Sequence, residues 1–221
     1  MKILLAIPSK FEAAPVFKKI GAKPALGAVA DASENLRAVV AGAGCEASQK
    51  RLAAAIEEYS PDAVALLGYC GACSPELACG DFVFETDSEE LAEKIAAANF
   101  RRAKIACSEH AAGGAEKAEL FARGFDAVEM ESAFFEPLAR ERAMQFLHVR
   151  CVSDTRASQM PACLFDAAID RQTGEIKPFR IFLSALKNPR LLPKFASYAR
   201  EIAPAQKKYA RGASAVLELL K

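Results

Sequence analysis

Short apolar runs alternate with helical stretches as far as Asp154, and this alternation restricts the possible folds more than any other feature. Residues 2–8, 36–41, 63–68, 81–85, 103–107, 126–130 and 145–153 are short and apolar enough for strands. Between them, residues 11–20, 46–59, 88–99, 115–123 and 131–143 read as helices. In 46–59, Leu52, Ala55, Ile56 and Tyr59 recur at three or four residues, as one buried helix face requires. Nearly continuous apolar strands separated by helices predict a buried, mostly parallel sheet covered on both faces. Ligands of such sheets sit beyond the carboxyl ends of the strands.

With 221 residues, 52% hydrophobic and 26% charged, one domain with a sizeable core is expected. The net charge of +1 makes no case for nucleic-acid binding. Charge is nevertheless uneven. From residue 176 to 211, nine Lys and Arg meet one acid, Glu201, for a local +8 and a remainder of −7. A basic, partly amphipathic segment of this kind suits either a solvated helical face or peripheral contact with an anionic membrane. Helix breaks are expected at Pro189, Pro193 and Pro204. The opening apolar run is too short for a secretion signal, and no run approaches the roughly 20 residues of a membrane span. Seven cysteines lie mostly in apolar or Gly/Ala-rich runs, which fits reduced core thiols in a cytoplasmic protein.

Two segments carry the chemistry. Ala127-Val128-Glu129-Met130-Glu131-Ser132-Ala133 sets two carboxylates where a strand gives way to a helix, and Leu147-His148-Val149-Arg150-Cys151-Val152-Ser153-Asp154 ends the next apolar run with Arg and Asp. Acids and an arginine gathered at strand ends suit a small polyhydroxylated ligand that needs proton transfer. Two glycine clusters, Ala41-Gly42-Ala43-Gly44 and Leu67-Gly68-Tyr69-Cys70-Gly71-Ala72, also end strands. Glycine there lets a backbone approach a ligand, and equally suits a tight structural turn. Neither cluster matches a dinucleotide or Walker pattern, and no cofactor is expected. Taken singly, Glu12 also reads as a helix first-turn acid, Asp154 and Glu131 as caps, and Met130 as core.

In this order, Glu12 after the first strand, Gly42-Ala43-Gly44, Gly68-Tyr69-Cys70-Gly71-Ala72 with Gly80-Asp81, Val128-Glu129-Met130-Glu131-Ser132 and Val149-Arg150-Cys151-Val152-Ser153-Asp154 resemble the nucleoside phosphorylase and nucleosidase superfamily. The core looks like methylthioadenosine/S-adenosylhomocysteine nucleosidases. The C-terminal half, with Pro178-Phe179, Leu183, Leu186 and Asn188-Pro189-Arg190-Leu191-Leu192-Pro193, looks like the hopanoid-associated phosphorylase branch. The resemblance implies a three-layer α/β/α phosphorylase-like fold with a central mixed sheet and a helical C-terminal extension from about residue 176. It also implies a homo-oligomer acting on a purine, adenine-type nucleoside, with room for a bulky or apolar 5′ substituent. It assigns Asp154 to the leaving base, as an acid whose pKa burial would raise, with Ser153 holding its carboxylate. It gives Arg150 the task of organising the carboxylates and Glu12 the task of orienting or deprotonating water. Glu131 would take the ribose hydroxyls, Met130 the face of the sugar, and Glu129 substrate or backbone; Gly44, Gly68, Tyr69 and Gly71 complete the expected binding set.

Two departures from the family pattern stand out. Where its purine phosphorylases carry an arginine and a serine on the second glycine strand, Leu66 and Tyr69 offer no cation, so water is favoured over phosphate. Lys10, Arg102 and Lys104 are the basic residues left to reach the site. The stretch from Asp81 to Glu129 is short and lacks the usual aromatic excursion, leaving Tyr69 or Phe165 to stack on the base. Cys70 and Cys73 have C-x-x-C spacing, with Cys79 nearby, but neither His110 nor His148 has ligand spacing to them, and no metal is expected. His148 reads as a core histidine.

Overall fold

The computed structural model describes residues 1–158, 166–187 and 189–221. Its central sheet is nine-stranded and mixed. Strands β1 (Ile3–Ile7), β3 (Leu36–Val40), β4 (Ala63–Ala72) and β9 (Gln145–Asp154) form its parallel centre, in the order β3-β1-β4-β9. Strand β2 (Val29–Ser33) runs antiparallel at the β3 edge, and β5 (Phe82–Thr86) runs antiparallel to β9 with the short β6 (Arg101–Arg102) outside it. Strand β8 (Ala127–Glu129) pairs antiparallel with the far end of β4 and carries β7 (Ile105–Cys107). β2 has no apolar run to announce it; its sequence, VADAS, is half-exposed at an edge.

Side chains along β1 alternate between two cores, as strand geometry dictates. Ile3, Leu5 and Ile7 pack with helices α1 (Lys10–Lys19) and α3 (Glu89–Ala96), while Leu4 and Ala6 pack with α2 (Glu46–Tyr59) and α5 (Ser132–Arg140). A further helix, α4 (Gly114–Ala122), precedes β8. The expected helical face Leu52, Ala55, Ile56 and Tyr59 is the buried face of α2.

The C-terminal segment is more than an appendage. Helix α6 (Pro178–Lys187) is followed by a 3-10 turn and by α7 (Leu192–Leu220), whose Tyr209, Ala213, Val216, Leu217 and Leu220 belong to the same core as α1 and α3. The expected break at Pro204 does not occur: Pro204 lies inside α7. An internal proline costs a helix about 3 kcal/mol, whereas each large apolar side chain buried on the sheet returns about 1.5–3 kcal/mol. Pro193 instead sits in the first turn, where its missing N–H costs nothing.

The second glycine cluster is also not a turn. β4 runs through Gly68 and Gly71 to Ala72, which extends it past the expected end at residue 68. Glycines within a strand mark places where other groups come close, and here those groups belong to the site.

Leu217→Ala in α7 is expected to cost about 2–5 kcal/mol. That should lower the thermal midpoint by roughly 5–15 °C in circular dichroism. An unchanged midpoint would mean that this helix is not part of the core.

Candidate active site

Four strand ends and three helix starts converge at one edge of the sheet. Glu129 ends β8, and its carboxylate accepts the backbone N–H groups of Glu131 (2.9 Å) and Ser132 as well as the Ser132 hydroxyl. Glu129 therefore does the capping at the start of α5. Glu131 occupies the N-cap position without a capping bond of its own, and its carboxylate is left for other partners. Arg150, on β9, reaches both acids: one guanidinium nitrogen donates to Glu129 and the other to Glu131 at 3.1 Å. Arg150 is 0% exposed.

Glu12 comes from the first turn of α1, which Ser9 caps by accepting the Glu12 N–H. Its carboxylate does not face solvent as a simple first-turn acid would. It accepts from the Ser9 hydroxyl at 2.5 Å and from the Tyr69 N–H at 2.9 Å. A Cβ at Gly68 would lie 2.5 Å from Arg150 Nη1 and 2.9 Å from Glu12 Oε1. Gly68 thus makes room for the cluster.

Three buried acids share one guanidinium, and their proton affinities diverge. Burial pushes Glu129 up, but Arg150 outweighs it together with further hydrogen bonds and holds this carboxyl below its usual value. Glu131 is raised to about 8 by burial, Arg150 only partly offsetting it, with Glu129 and Glu12 adding repulsion. Glu12 is also raised, again by burial first, against the bonds from Ser9 and Tyr69. Unlike environments acting on like groups are how one site separates acid from base.

Asp154 ends β9 a short way off. The register between β4 and β9 shifts at Cys70/Gly71, so that Asp154 stands opposite Gly71. A bulge of this kind re-aims a side chain beside a site. The Ser153 hydroxyl donates to Asp154 Oδ1 at 2.7 Å and lies 3.1 Å from the Cys70 carbonyl. Asp154 is not an isolated acid: Lys117 Nζ, from α4, donates to its Oδ2. Lys117 is 2% exposed. Sequence reading missed it, although a lysine three residues before buried Leu120 on the inward stripe of α4 is a signal for it.

These groups face a cavity of about 310 Å³. Glu12, Glu129, Met130, Glu131, Ser153 and Asp154 line it, as do Tyr69, Gly71, Ser9 and Lys117. Three expected members do not. Arg150 lies beneath the lining, fully buried under the acids it organises. Gly68 is covered by Arg150 and Glu12. Gly44 is a packing glycine, because a Cβ there would collide with the Met130 carbonyl and the Phe134 ring. Tyr69 lies against Tyr209, with ring centroids 4.4 Å apart. Tyr198, Phe11 and His110 add rings to the lining, and Phe165, the other expected stacking residue, falls outside the described residues. The outer wall is apolar, built from Ile169, Ile176, Ile181 and Ile202.

Other expectations resolve simply. Lys10 pairs with Glu175 at 3.1 Å and Arg102 with Glu89, and neither lines the cavity; nor does Lys104. His148 is a core residue, edge-on to Phe146 at 4.9 Å, and burial brings its pKa down to about 4. Cys70, Cys73 and Cys79 are free thiols, and burial pushes Cys73 up to about 11, away from thiolate chemistry. No described helix is long and apolar enough to cross a membrane.

No protein-family model matches the chain, and no curated protein sequence matches it. Solved structures do. A 5′-methylthioadenosine/S-adenosylhomocysteine nucleosidase from S. pneumoniae matches at TM-score 0.67 and 18% identity, covering 100% of both chains. The corresponding enzyme from Campylobacter jejuni matches at TM-score 0.65 and 16% identity, covering 99% of this chain and 98% of its own. Futalosine hydrolase from Helicobacter pylori matches at TM-score 0.64 and 14% identity, covering 99% and 97%. The chain has the α/β fold of these nucleosidases.

The raised Glu131 pKa has a consequence for stability. A carboxyl that holds its proton more tightly when folded contributes fully below its unfolded value near 4.5, and that contribution is lost as pH rises through about 8. Glu131→Gln, which cannot ionise, is therefore expected to gain stability relative to the unaltered protein between pH 5 and 8. The gain should be several degrees in midpoint, at about 2–4 °C per kcal/mol. A difference that stays flat with pH would show that Glu131 ionises normally.

Proposed function

We propose that this chain is a nucleosidase that hydrolyses the N-glycosidic bond of an adenine nucleoside carrying an apolar 5′ substituent. The observation that carries the reading is the convergence of Glu12, Glu131 and Asp154 on one cavity, with Arg150 beneath them. Breaking a ribosyl–purine bond builds positive charge on the sugar and negative charge on the base. Acids on the sugar side and a proton-handling pair on the base side answer those two needs.

In this reading Glu131 accepts the vicinal ribose hydroxyls while Met130 packs against the sugar. Glu12 holds a water, steadied by Ser9, and takes its proton as the oxygen bonds to C1′. A carboxyl raised by burial is a better base near neutral pH than an exposed one. The base departs toward Ser153 and Asp154. The isoleucine wall and Phe11 suit an apolar group at the 5′ end.

Water is favoured over phosphate because no arginine is found among the described lining residues and Lys117 is engaged by Asp154. On α6, which lends Ile181 to the cavity wall, Leu183 and Leu186 stand exposed on the same helix as the exposed Arg180 and Lys187, which suits peripheral contact with an anionic membrane. Cosedimentation with phosphatidylserine vesicles should occur at low salt and fail at high salt, and absence at low salt would refute that contact. The resemblance to oligomeric enzymes extends the reading to a homo-oligomer, to be checked by sedimentation; a monomer at working concentration would remove it.

Purified protein is expected to release adenine from 5′-modified adenosines at a rate independent of phosphate. Phosphate-dependent release would make it a phosphorylase, and nucleoside binding without release would make it a binding protein. Glu12→Gln is expected to slow release about 10²–10⁴-fold while preserving nucleoside binding. Adenosines with an alkylthio group at the 5′ position should have higher kcat/KM than adenosine, and equal or better use of adenosine would argue against the apolar wall as a 5′ site.

A further inference from the structure

We propose that Lys117 is the proton donor to the leaving base and that, paired with Asp154, it selects a 6-aminopurine over a 6-oxopurine. The proposal rests on the nucleosidase reading above.

Burying an ammonium costs several kcal/mol even when it is paired, so a lysine at a cavity floor calls for a reason. Two independent backbone features admit it. A Cβ at Gly71 would lie 2.5 Å from Lys117 Cε and 2.8 Å from Nζ, so only glycine lets this side chain cross β4. The register shift between β4 and β9 brings Asp154 opposite the same glycine. Both ends of the pair line the cavity, and Lys117 is the only Lys or Arg among its described lining residues.

An ammonium has three N–H donors. Lys117 donates to Asp154 Oδ2 and lies 3.4 Å from the Thr155 carbonyl, which leaves donor capacity for a ligand. An ammonium beside a carboxylate presents one donor and one acceptor. The edge of adenine offers the complement, an N7 acceptor next to a 6-amino donor; a 6-oxopurine offers two acceptors there. Its O6 would face the carboxylate.

As the C1′–N9 bond breaks, its electron pair passes into the purine, and Lys117 gives a proton to N7. Adenine leaves neutral and Lys117 becomes a neutral amine. Water oxygen bonds to C1′ and its proton passes to Glu12, from which solvent returns one proton to Lys117.

The test compares 5′-methylthioadenosine, 5′-methylthioinosine and 4-nitrophenyl riboside, whose leaving group needs no protonation. Unaltered protein should favour the adenine over the hypoxanthine substrate by about 100-fold in kcat/KM. Lys117→Met should lose about 10²–10⁴-fold in kcat on the adenine substrate, lose that preference, and keep its rate on the nitrophenyl riboside. A folded variant that retains adenine release and preference overturns the proposal, as does a merely lowered thermal midpoint with unchanged kinetics. Should the variant not fold, the base preference of the unaltered protein decides, and equal use of both bases overturns the proposal. No release from any of the three substrates defeats the nucleosidase reading itself, whereas release without base preference defeats only the role of Lys117.

Discussion

The site depends on a guanidinium buried among more carboxylates than it can neutralise. Arg150 is out of contact with water, and its Nε has no partner in the described structure. Ions in such a position cost several kcal/mol to desolvate and hold only when their partners are fixed in place. Both bonded partners, Glu129 and Glu131, come from the β8–α5 turn, so one side chain on β9 ties that turn to the sheet, while Glu12 of α1 feels its charge without a direct bond. Glu129 takes the strongest share and remains an anion. Glu131 and Glu12, left with less compensation, hold protons more tightly than exposed acids. A graded set of carboxyls thus follows from a shortage of positive charge.

The second half of the cavity obeys the opposite rule. Lys117 and Asp154 match one charge to one charge, and the glycine and bulge that bring them together are features of the strands themselves. The two halves sit along β4, over Gly68 and Gly71. Three residues of strand separate them, about 10 Å at 3.3 Å per residue, a spacing that under the proposed nucleosidase reading would set the sugar at one end and the base at the other. The α7 helix closes the cavity with Tyr198, Ile202 and Ala205 while its later turns fill the core, which couples binding to the integrity of the C-terminal layer.

Much of this was legible in the chain. The strand and helix runs, the two-faced burial of the sheet and the placing of Glu129, Glu131, Arg150 and Asp154 at strand ends follow from periodicity and from the place of strand ends in parallel sheets, whereas Glu12 is reached only through the family resemblance. What failed shares a cause. Gly68 and Gly71 read as a turn because glycine is common in turns, and they proved to be strand residues crowded by Arg150 and Lys117. Pro204 read as a break because local cost was weighed without the sheet beneath it. Lys117 went unnoticed because a lysine on a helix is ordinarily solvated, and its burial depends on a glycine in a strand 46 residues away in sequence.

The sequence alone determined the layered α/β architecture and the acidic character of one sheet edge, since hydrophobic period and residue type act locally. Only the tertiary structure decided which acid caps a helix, which one is left to bind, and which cation stands beside Asp154. Those choices are made by close approaches between segments remote in the chain, where burial and the sharing of charge, rather than local propensity, set the outcome.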